Sequence, residues 1–138
     1  MMFDWFAFQT GATAFIVAFV AAVVFFVAFK FIYQLVTPYH ERDLIRQGNA
    51  AAAIALGGAL IGYVLPLASA LSHTVSLPEF AAWALLAGVI QIVSFIVVSR
   101  FVYKALAARL AAGEMAAGIY LASISIGVGL LNAACMTA

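Results

Sequence analysis

Charged residues are scarce in this 138-residue chain, where six Lys and Arg and five Asp and Glu amount to 8% of the composition. A soluble domain carries about a quarter charged residues, so this composition excludes a soluble fold and offers no clustered cations for nucleic acid. Cysteine occurs once, as Cys135, and therefore no disulfide can form within the chain. We expect Cys135 either to pack as a small buried side chain or to link two subunits.

Acidic residues are absent from the middle of every long apolar stretch. They lie at the ends of these stretches or in a turn that we expect to be solvated: Asp4, Glu79 and Glu114 at the ends, Glu41 and Asp43 in the turn. Proton-coupled small multidrug transporters depend on an acid inside the membrane, so their mechanism is disfavoured. His40 and His73 show no metal-ligand spacing, and no nucleophile is paired with a base. The sequence therefore predicts no metal site, no cofactor and no enzymatic activity.

Apolar residues, in contrast, make up 68% of the chain and form four stretches long enough to cross a bilayer, since a spanning helix needs about 20 apolar residues. Pro38 closes the first stretch, Asn49 is a good N-cap for the second, and Ser76 with Glu79 resembles a capping box at the third. We expect spans from about Gly11 to Val36, Asn49 to Leu71, Ser76 to Tyr103 or Lys104, and Glu114 to Met136. The predicted fold is all-α, one polytopic membrane domain over residues 1–138 with four transmembrane helices.

The basic residues predict the orientation of these spans. All six flank the connection between the first two spans or the connection between the last two, and none flanks the middle connection or either terminus. Lys30, Arg42 and Arg46 flank the former, and Arg100, Lys104 and Arg109 flank the latter. Short loops rich in Lys and Arg stay in the cytoplasm, so we expect these connections inside and both termini outside. Lys30 and Arg100 lie within the predicted spans. They either extend to the lipid headgroups or form a positive ring that binds anionic lipid or an anionic permeant.

The two halves of the chain resemble each other. The segment from Lys30 to Tyr33 matches that from Arg100 to Tyr103, and residues 50–71 share eight identities in 22 positions with residues 115–136. These matches predict two tandem helical hairpins, one over about residues 11–71 and one over about residues 79–138. Both hairpins would enter the membrane from the same side, so the repeats would be parallel, related by an axis along the membrane normal.

Small residues predict where the helices pack. Gly58 and Gly62 form a GxxxG motif, and the aligned positions in the fourth span are Ser123 and Gly127. Lipid provides no hydrophobic force between helices, so their association depends on residues that allow close backbone approach. We expect these four residues to pack helices together, either within one subunit or between subunits.

Polar residues inside the spans predict a protein-facing surface. Gln91 lies near the middle of the third span, with Ser94 one turn further on, and Asn132 lies in the fourth span. An amide in hydrocarbon needs a hydrogen-bonding partner, so this face should look toward protein or toward a hydrated cavity. Two interpretations stay open: an interhelical hydrogen bond, and a cavity or pore lined by these three side chains.

Two stretches resemble a known family. Residues 48–53 read Gly-Asn-Ala-Ala-Ala-Ala and lead to Gly57 and Gly58, and residues 127–137 read Gly-Val-Gly-Leu-Leu-Asn-Ala-Ala-Cys-Met-Thr. Together they resemble the bacterial inner-membrane YjfL-like family, domain-of-unknown-function family 350. The resemblance implies four spans from two related halves in the bacterial inner (plasma) membrane, which with the charge pattern gives two periplasmic termini. Such proteins tend to be encoded near membrane-stress proteins of the phage-shock type, which implies envelope maintenance. The resemblance to this family supplies no catalytic residues.

Two functions fit these features. The first is a non-enzymatic, homo-oligomeric membrane scaffold whose six basic residues hold a peripheral membrane-stress protein or anionic lipid at the cytoplasmic face. The alternative is an oligomeric channel or passive carrier lined by Gln91 and the serine-bearing faces of the spans. In both cases the lipid bilayer surrounds the protein.

Overall fold

The computed structural model describes residues 2–137, and over this range the chain contains helices and no strand. The helices are α1 Trp5–Val36, α2 Glu41–Arg46, α3 Ala50–His73, α4 Leu77–Val97, α5 Leu106–Ala111 and α6 Met115–Cys135, and a π-helical segment, Val98–Val102, continues α4. Four of them, α1, α3, α4 with its π-helical continuation, and α6, are long and apolar enough to cross a membrane. This confirms the predicted all-α fold. The outermost residues of the predicted domain, Met1 and Ala138, lie outside the described residues.

Helix starts follow from side chains that cap free backbone N–H groups. Asn49 Oδ1 accepts a hydrogen bond from the N–H of Ala52 at 3.0 Å, and Ser76 Oγ accepts one from the N–H of Glu79 at 3.3 Å. The first turn of a helix has no internal acceptors for its N–H groups, so these caps fix where α3 and α4 begin. Both caps lie where the sequence predicted them.

The start of α1 differs from the prediction. Asp4 Oδ1 accepts a hydrogen bond from the N–H of Ala7 at 3.1 Å, so α1 begins at Trp5 and not at Gly11. The aromatic residues Trp5, Phe6 and Phe8 are thereby part of the helix. At 32 residues and 1.5 Å per residue, α1 is about 48 Å long, which exceeds the roughly 30 Å thickness of a hydrocarbon core.

The connection from α1 to α3, which we call the first connection, and the connection from α4 to α6, which we call the second connection, lie together at one end of the bundle. Asn49 Nδ2 donates to the carbonyls of Leu110 and Ala111 at 3.2 and 3.1 Å, which joins the two connections. We call this the basic end, because the Lys and Arg residues belong to it. Each connection contains a six-residue helix, α2 or α5, followed by a glycine with positive φ, Gly48 at 85° and Gly113 at 89°. The matching connections support the tandem repeat, which stays a prediction.

The core lies mainly between α3 and α6, which pack together more extensively than any other pair of helices. Ala51 near the start of α3 contacts Gly118 near the start of α6, and Gly58 contacts Ala122 further along. Because the contacts advance in the same direction along both helices, α3 and α6 are parallel neighbours. Their close approach puts backbone against backbone, the arrangement that small residues permit in lipid.

Aromatic side chains attach the second half of α1 to this core. Phe29 stacks on Tyr63 of α3 with ring centroids 4.3 Å apart, and Tyr33 meets Phe95 of α4 edge-on at 5.2 Å. Residues 5–20 of α1, by contrast, include no buried side chain. The first half of α1 therefore presents an apolar surface to its surroundings.

Candidate functional site: a polar core and a basic end

The contact between α3 and α6 is a small-residue seam formed by two faces with the same spacing. These faces are Ala51, Ala55, Gly58 and Gly62 on α3, and Gly118, Ala122, Ser125 and Gly129 on α6. A Cβ added to Gly58 would overlap Ala122, and one added to Gly62 would overlap the backbone of Ser125. Gly58 and Gly62 therefore lie at a contact inside the subunit.

Ser123 and Gly127, predicted to pack at the aligned positions, lie outside the seam. Ser123 is exposed and its hydroxyl donates to the carbonyl of Ile119 at 2.7 Å, and a Cβ on Gly127 would meet nothing within 4 Å. Ser123 and Gly127 therefore do not pack against α3 within the subunit, because α6 meets α3 through residues two positions beyond the aligned ones; their packing between subunits stays a prediction. Each residue turns the helix by about 100°, so a shift of two positions moves the contact about 200° around α6.

Gln91 and Asn132 belong to a buried polar cluster between α4 and α6. Gln91 is 4% exposed, and its Nε2 donates to the carbonyl of Ser125 at 3.2 Å. Asn132 Nδ2 donates to the carbonyl of Ala87 at 3.2 Å and lies 3.4 Å from Gln91 Oε1. The amides thus have partners within the chain, as an apolar medium demands. Of the two interpretations left open by the sequence, the structure thus shows interhelical hydrogen bonds of Gln91 and Asn132 and not a cavity lined by them.

Ser94 is separate from this cluster. It is half-buried and lines a groove between α4 and α6 whose other lining residues are valines and an isoleucine. A predominantly apolar lining gives water few partners. The prediction of a hydrated cavity beside Ser94 is therefore contradicted as well.

Three basic residues of the first connection surround one cavity at the basic end. Lys30 of α1 and Arg42 and Arg46 of α2 line a space of about 410 Å³. Arg42 and Arg46 are one helical turn apart, so they lie on the same face of α2. The remaining lining residues are Phe31, Gln34, Ile45 and Leu56. We call this space the basic cavity; it combines three cations and an amide with apolar side chains.

The basic residues of the second connection are arranged differently. Arg100 and Lys104 are exposed, as are Arg42 and Arg46, but they do not line the basic cavity. Arg109 forms an ion pair with Glu114, with 3.3 Å between Nη2 and Oε1, and its guanidinium lies 5.5 Å from the ring centre of Tyr103. The hydrogen bond to Glu114 raises the pKa of Arg109. An acid therefore balances one of the three cations in this connection.

Glu41 is buried, which corrects the prediction of a solvated acid. It is 2% exposed and lies with Tyr33 and Tyr39, which are also buried, where α1 ends and α2 begins. Among the described residues, Glu41 Oε1 and the two tyrosine hydroxyls have no hydrogen-bonding partner. The short helix α2 contacts α3, and its first residue points into the protein.

This burial changes the proton affinity of Glu41. Burial raises the pKa of its carboxyl, and the opposing influences of Thr37, His40 and Lys30 nearby do not cancel the effect. Burial also raises the pKa of Tyr39, to which the charge on Glu41 contributes. Sequence reasoning missed Glu41, although the repeat held a signal: 65 residues further on, at the first position of α5, is the buried Leu106.

Cys135 is exposed at the end of α6 remote from the basic end. The expectation that it packs as a buried hydrophobic side chain was therefore wrong. Its exposure makes it a natural labelling site.

The protein has four long apolar helices, packed around a small-residue seam and a pair of amides that are hydrogen-bonded within the chain. These features define a polytopic helical membrane protein. Residues 7–136 match the model of the family described as Domain of Unknown Function (DUF350), and the chain belongs to this family.

The chain is 40% identical over 124 residues to the inner membrane protein YjfL of Escherichia coli strain K12, covering 90% of this chain and 93% of the relative. The same values hold for YjfL of Escherichia coli O157:H7. It is 30% identical over 76 residues to the transmembrane protein YshE of Bacillus subtilis strain 168, covering 55% of this chain and 57% of the relative. No solved structure matches the chain. Together with the four apolar helices, these relatives identify a multi-pass inner membrane protein.

Proposed function

We propose that the protein is a non-enzymatic scaffold of the bacterial inner membrane whose basic end faces the cytoplasm and binds anionic groups there. In this proposal both termini are periplasmic, and the chain acts in envelope maintenance beside a peripheral membrane-stress protein or anionic lipid. The separation of charge carries the proposal. All six Lys and Arg residues lie in the two connections at one end of the bundle or within about two helical turns of them, and clustered cations next to spanning helices attract anionic lipid and acidic surfaces.

The scaffold assembles as a homo-oligomer, with α1 as the surface for a second copy. The GxxxG motif of Gly58 and Gly62 is already occupied by α6, so it is not free to join subunits. The first half of α1 instead exposes Phe15 and Phe19 on an apolar face. Because lipid provides no hydrophobic force between helices, a second copy would associate with this face through van der Waals packing against its aromatic rings.

The burial of Gln91 argues against the channel. A pore lining needs polar groups that face water, whereas the Gln91 amide is bonded to Ser125 and Asn132. The test uses Gln91→Cys in a Cys135→Ala background and a water-soluble thiol reagent on intact membranes. We expect no reaction until the protein is denatured in detergent, and the denatured sample is the reactivity control. Rapid reaction in intact membranes would establish a hydrated axis in place of the closed scaffold core.

Orientation is tested in the same cells with a membrane-impermeant maleimide. After the outer membrane is opened, the native Cys135 should react from the periplasm. Arg46→Cys in the Cys135→Ala background should react only after the inner membrane is lysed. The opposite labelling pattern would place the basic end outside and overturn the proposal. Native mass spectrometry from nanodiscs should show a multiple of the 14.6 kDa subunit, and a monomer alone would overturn the assembly through α1.

A further inference from the structure

We propose that the basic cavity is a binding site for the phosphate headgroup of an anionic phospholipid. This inference rests on the proposed function, because it identifies one ligand of the basic end, but it makes a narrower claim. It assigns the binding to the cavity formed by Lys30, Arg42 and Arg46 and not to the basic surface as a whole.

The lining residues have the chemistry that a phosphodiester requires. Arginine guanidinium groups bind phosphate oxygens with paired, charge-assisted hydrogen bonds, and a lysine ammonium adds a point charge. Arg42 and Arg46 on α2 face Lys30 on α1 across the cavity, and Gln34 adds an amide that can donate or accept. A volume of about 410 Å³ lies within the range of about 300–1,000 Å³ that is typical of small-molecule sites.

The position of the cavity favours a lipid over a free phosphate. Lys30 lies six residues before the end of α1 at Val36, and Leu56 lies six residues after the start of α3 at Ala50, so both are about 9 Å inside their helix ends. The cavity thus extends from the level of α2 toward the apolar part of the spans. Phe31, Ile45 and Leu56 are the apolar side chains that line it. A phospholipid would cover these side chains with its glycerol and upper acyl carbons, whereas a free phosphate would leave them bare.

Glu41 fixes the geometry of the site without occupying it. Its side chain is buried at the first position of α2, and α2 packs on α3, so this burial anchors the helix that carries Arg42 and Arg46. Glu41 interacts electrostatically with Lys30 but is not a lining residue of the cavity. The cations therefore converge on a space that no carboxylate lines.

The experiment compares two variants that remove the same charge. Arg42→Gln/Arg46→Gln alters the basic cavity, and Lys104→Gln/Arg109→Gln removes two cations from the second connection. Each full-length protein is purified in a neutral detergent and titrated with phosphatidylglycerol, cardiolipin, phosphatidylethanolamine or inorganic phosphate at equal phosphate concentration. Retained lipid is counted by native mass spectrometry, and the apparent melting temperature is measured in parallel.

We expect the unmodified protein to retain phosphatidylglycerol and cardiolipin and to melt at a higher temperature with them. Phosphatidylethanolamine and inorganic phosphate should have little effect. The Arg42→Gln/Arg46→Gln variant should bind the anionic lipids about tenfold to thirtyfold more weakly, because it loses two of the three cations that line the cavity and would hold the phosphate. The Lys104→Gln/Arg109→Gln variant should bind within about threefold of the unmodified protein, because its cavity is intact.

Three results would overturn the inference. Equal losses in the two variants would mean that the basic surface attracts lipid diffusely, which rejects the cavity but leaves the orientation and scaffold proposals standing. A melting shift with inorganic phosphate as large as that with lipid would assign the cavity to a soluble phosphate compound.

A folding defect in the Arg42→Gln/Arg46→Gln variant is recognised from its melting temperature without lipid. In that case Arg42→Lys/Arg46→Lys, which keeps the charge, should restore at least half of the retention, and no recovery in a folded protein would also reject the site.

Discussion

The two connections at the basic end share an architecture and differ in chemistry. Each has a six-residue helix whose first side chain is buried, Glu41 in α2 and Leu106 in α5. Leucine fills such a position at no polar cost, whereas a carboxyl with an unpaired oxygen is destabilising there. In the first connection the arginines line a cavity, whereas in the second Arg109 is paired with Glu114. A residue that departs from what its environment favours often marks a functional site, and this departure lies beside the basic cavity.

A second difference separates α3 from α6 at positions that the sequence aligns. Gly62 lies against Ser125 and Gly129, whereas a side chain on Gly127 would have open space around it. Two glycines that look equivalent in the alignment therefore have opposite tolerance to substitution. The contrast provides matched variants in which the same chemical change is made in two different environments.

The largest effect is expected from Gly62→Leu. A Cβ at this position would overlap the Ser125 backbone and lie 2.8 Å from Gln91 Nε2, so the added side chain forces α3 and α6 apart. Overpacking of this kind costs about 3 kcal/mol, and we expect a large loss of yield and of melting temperature in detergent. Gly127→Leu is the control and should leave both nearly unchanged. Equal behaviour of the two variants would contradict the assignment of the seam to one face of α6.

Internal alignment and hydropathy predicted the spans but not the face on which α6 packs. The caps formed by Asn49 and Ser76 follow from local sequence, because each acts on an N–H only three residues away. The α6 face depends on how two helices meet, and a two-residue shift reverses it. Glu41 was missed for a related reason. A six-residue helix has too few residues to show a hydrophobic period, so only its contact with α3 shows that its first residue is buried.

An intermediate effect is expected from Glu41→Gln, which replaces the buried acid with a neutral amide. Because burial raises the folded-state pKa of Glu41 above its ordinary value of 4.5, the folded protein holds the proton more tightly than the unfolded chain does. The contribution of Glu41 to folding stability is then greatest below pH 4.5 and is lost as the pH rises through the raised pKa. Glu41→Gln should remove this dependence and raise the melting temperature at neutral pH, because burying a neutral amide costs less than burying a carboxylate.

The measurement is the melting temperature in detergent between pH 4 and pH 8. Asp43→Asn on the same helix is the control, because Asp43 is exposed and its replacement should keep the pH dependence of the unmodified protein. A Glu41→Gln profile with the original slope would show that another group titrates. Such a result would remove the difference between Glu41 and Leu106 on which the comparison of the two connections depends.

The smallest effect on stability is expected from Glu114→Gln, which makes the second connection more like the first by releasing Arg109. The ion pair is exposed, and exposed pairs contribute little to folding, so the melting temperature should not change measurably.

In the Arg42→Gln/Arg46→Gln background, the released cation should raise the retention of phosphatidylglycerol by at most about fivefold, the effect of one cation near an anionic surface. Recovery should stay incomplete, because Arg109 lies over Tyr103 and neither Arg100 nor Lys104 lines the basic cavity. Full recovery would show that the number of unpaired cations at the basic end, and not their arrangement around the cavity, determines lipid binding.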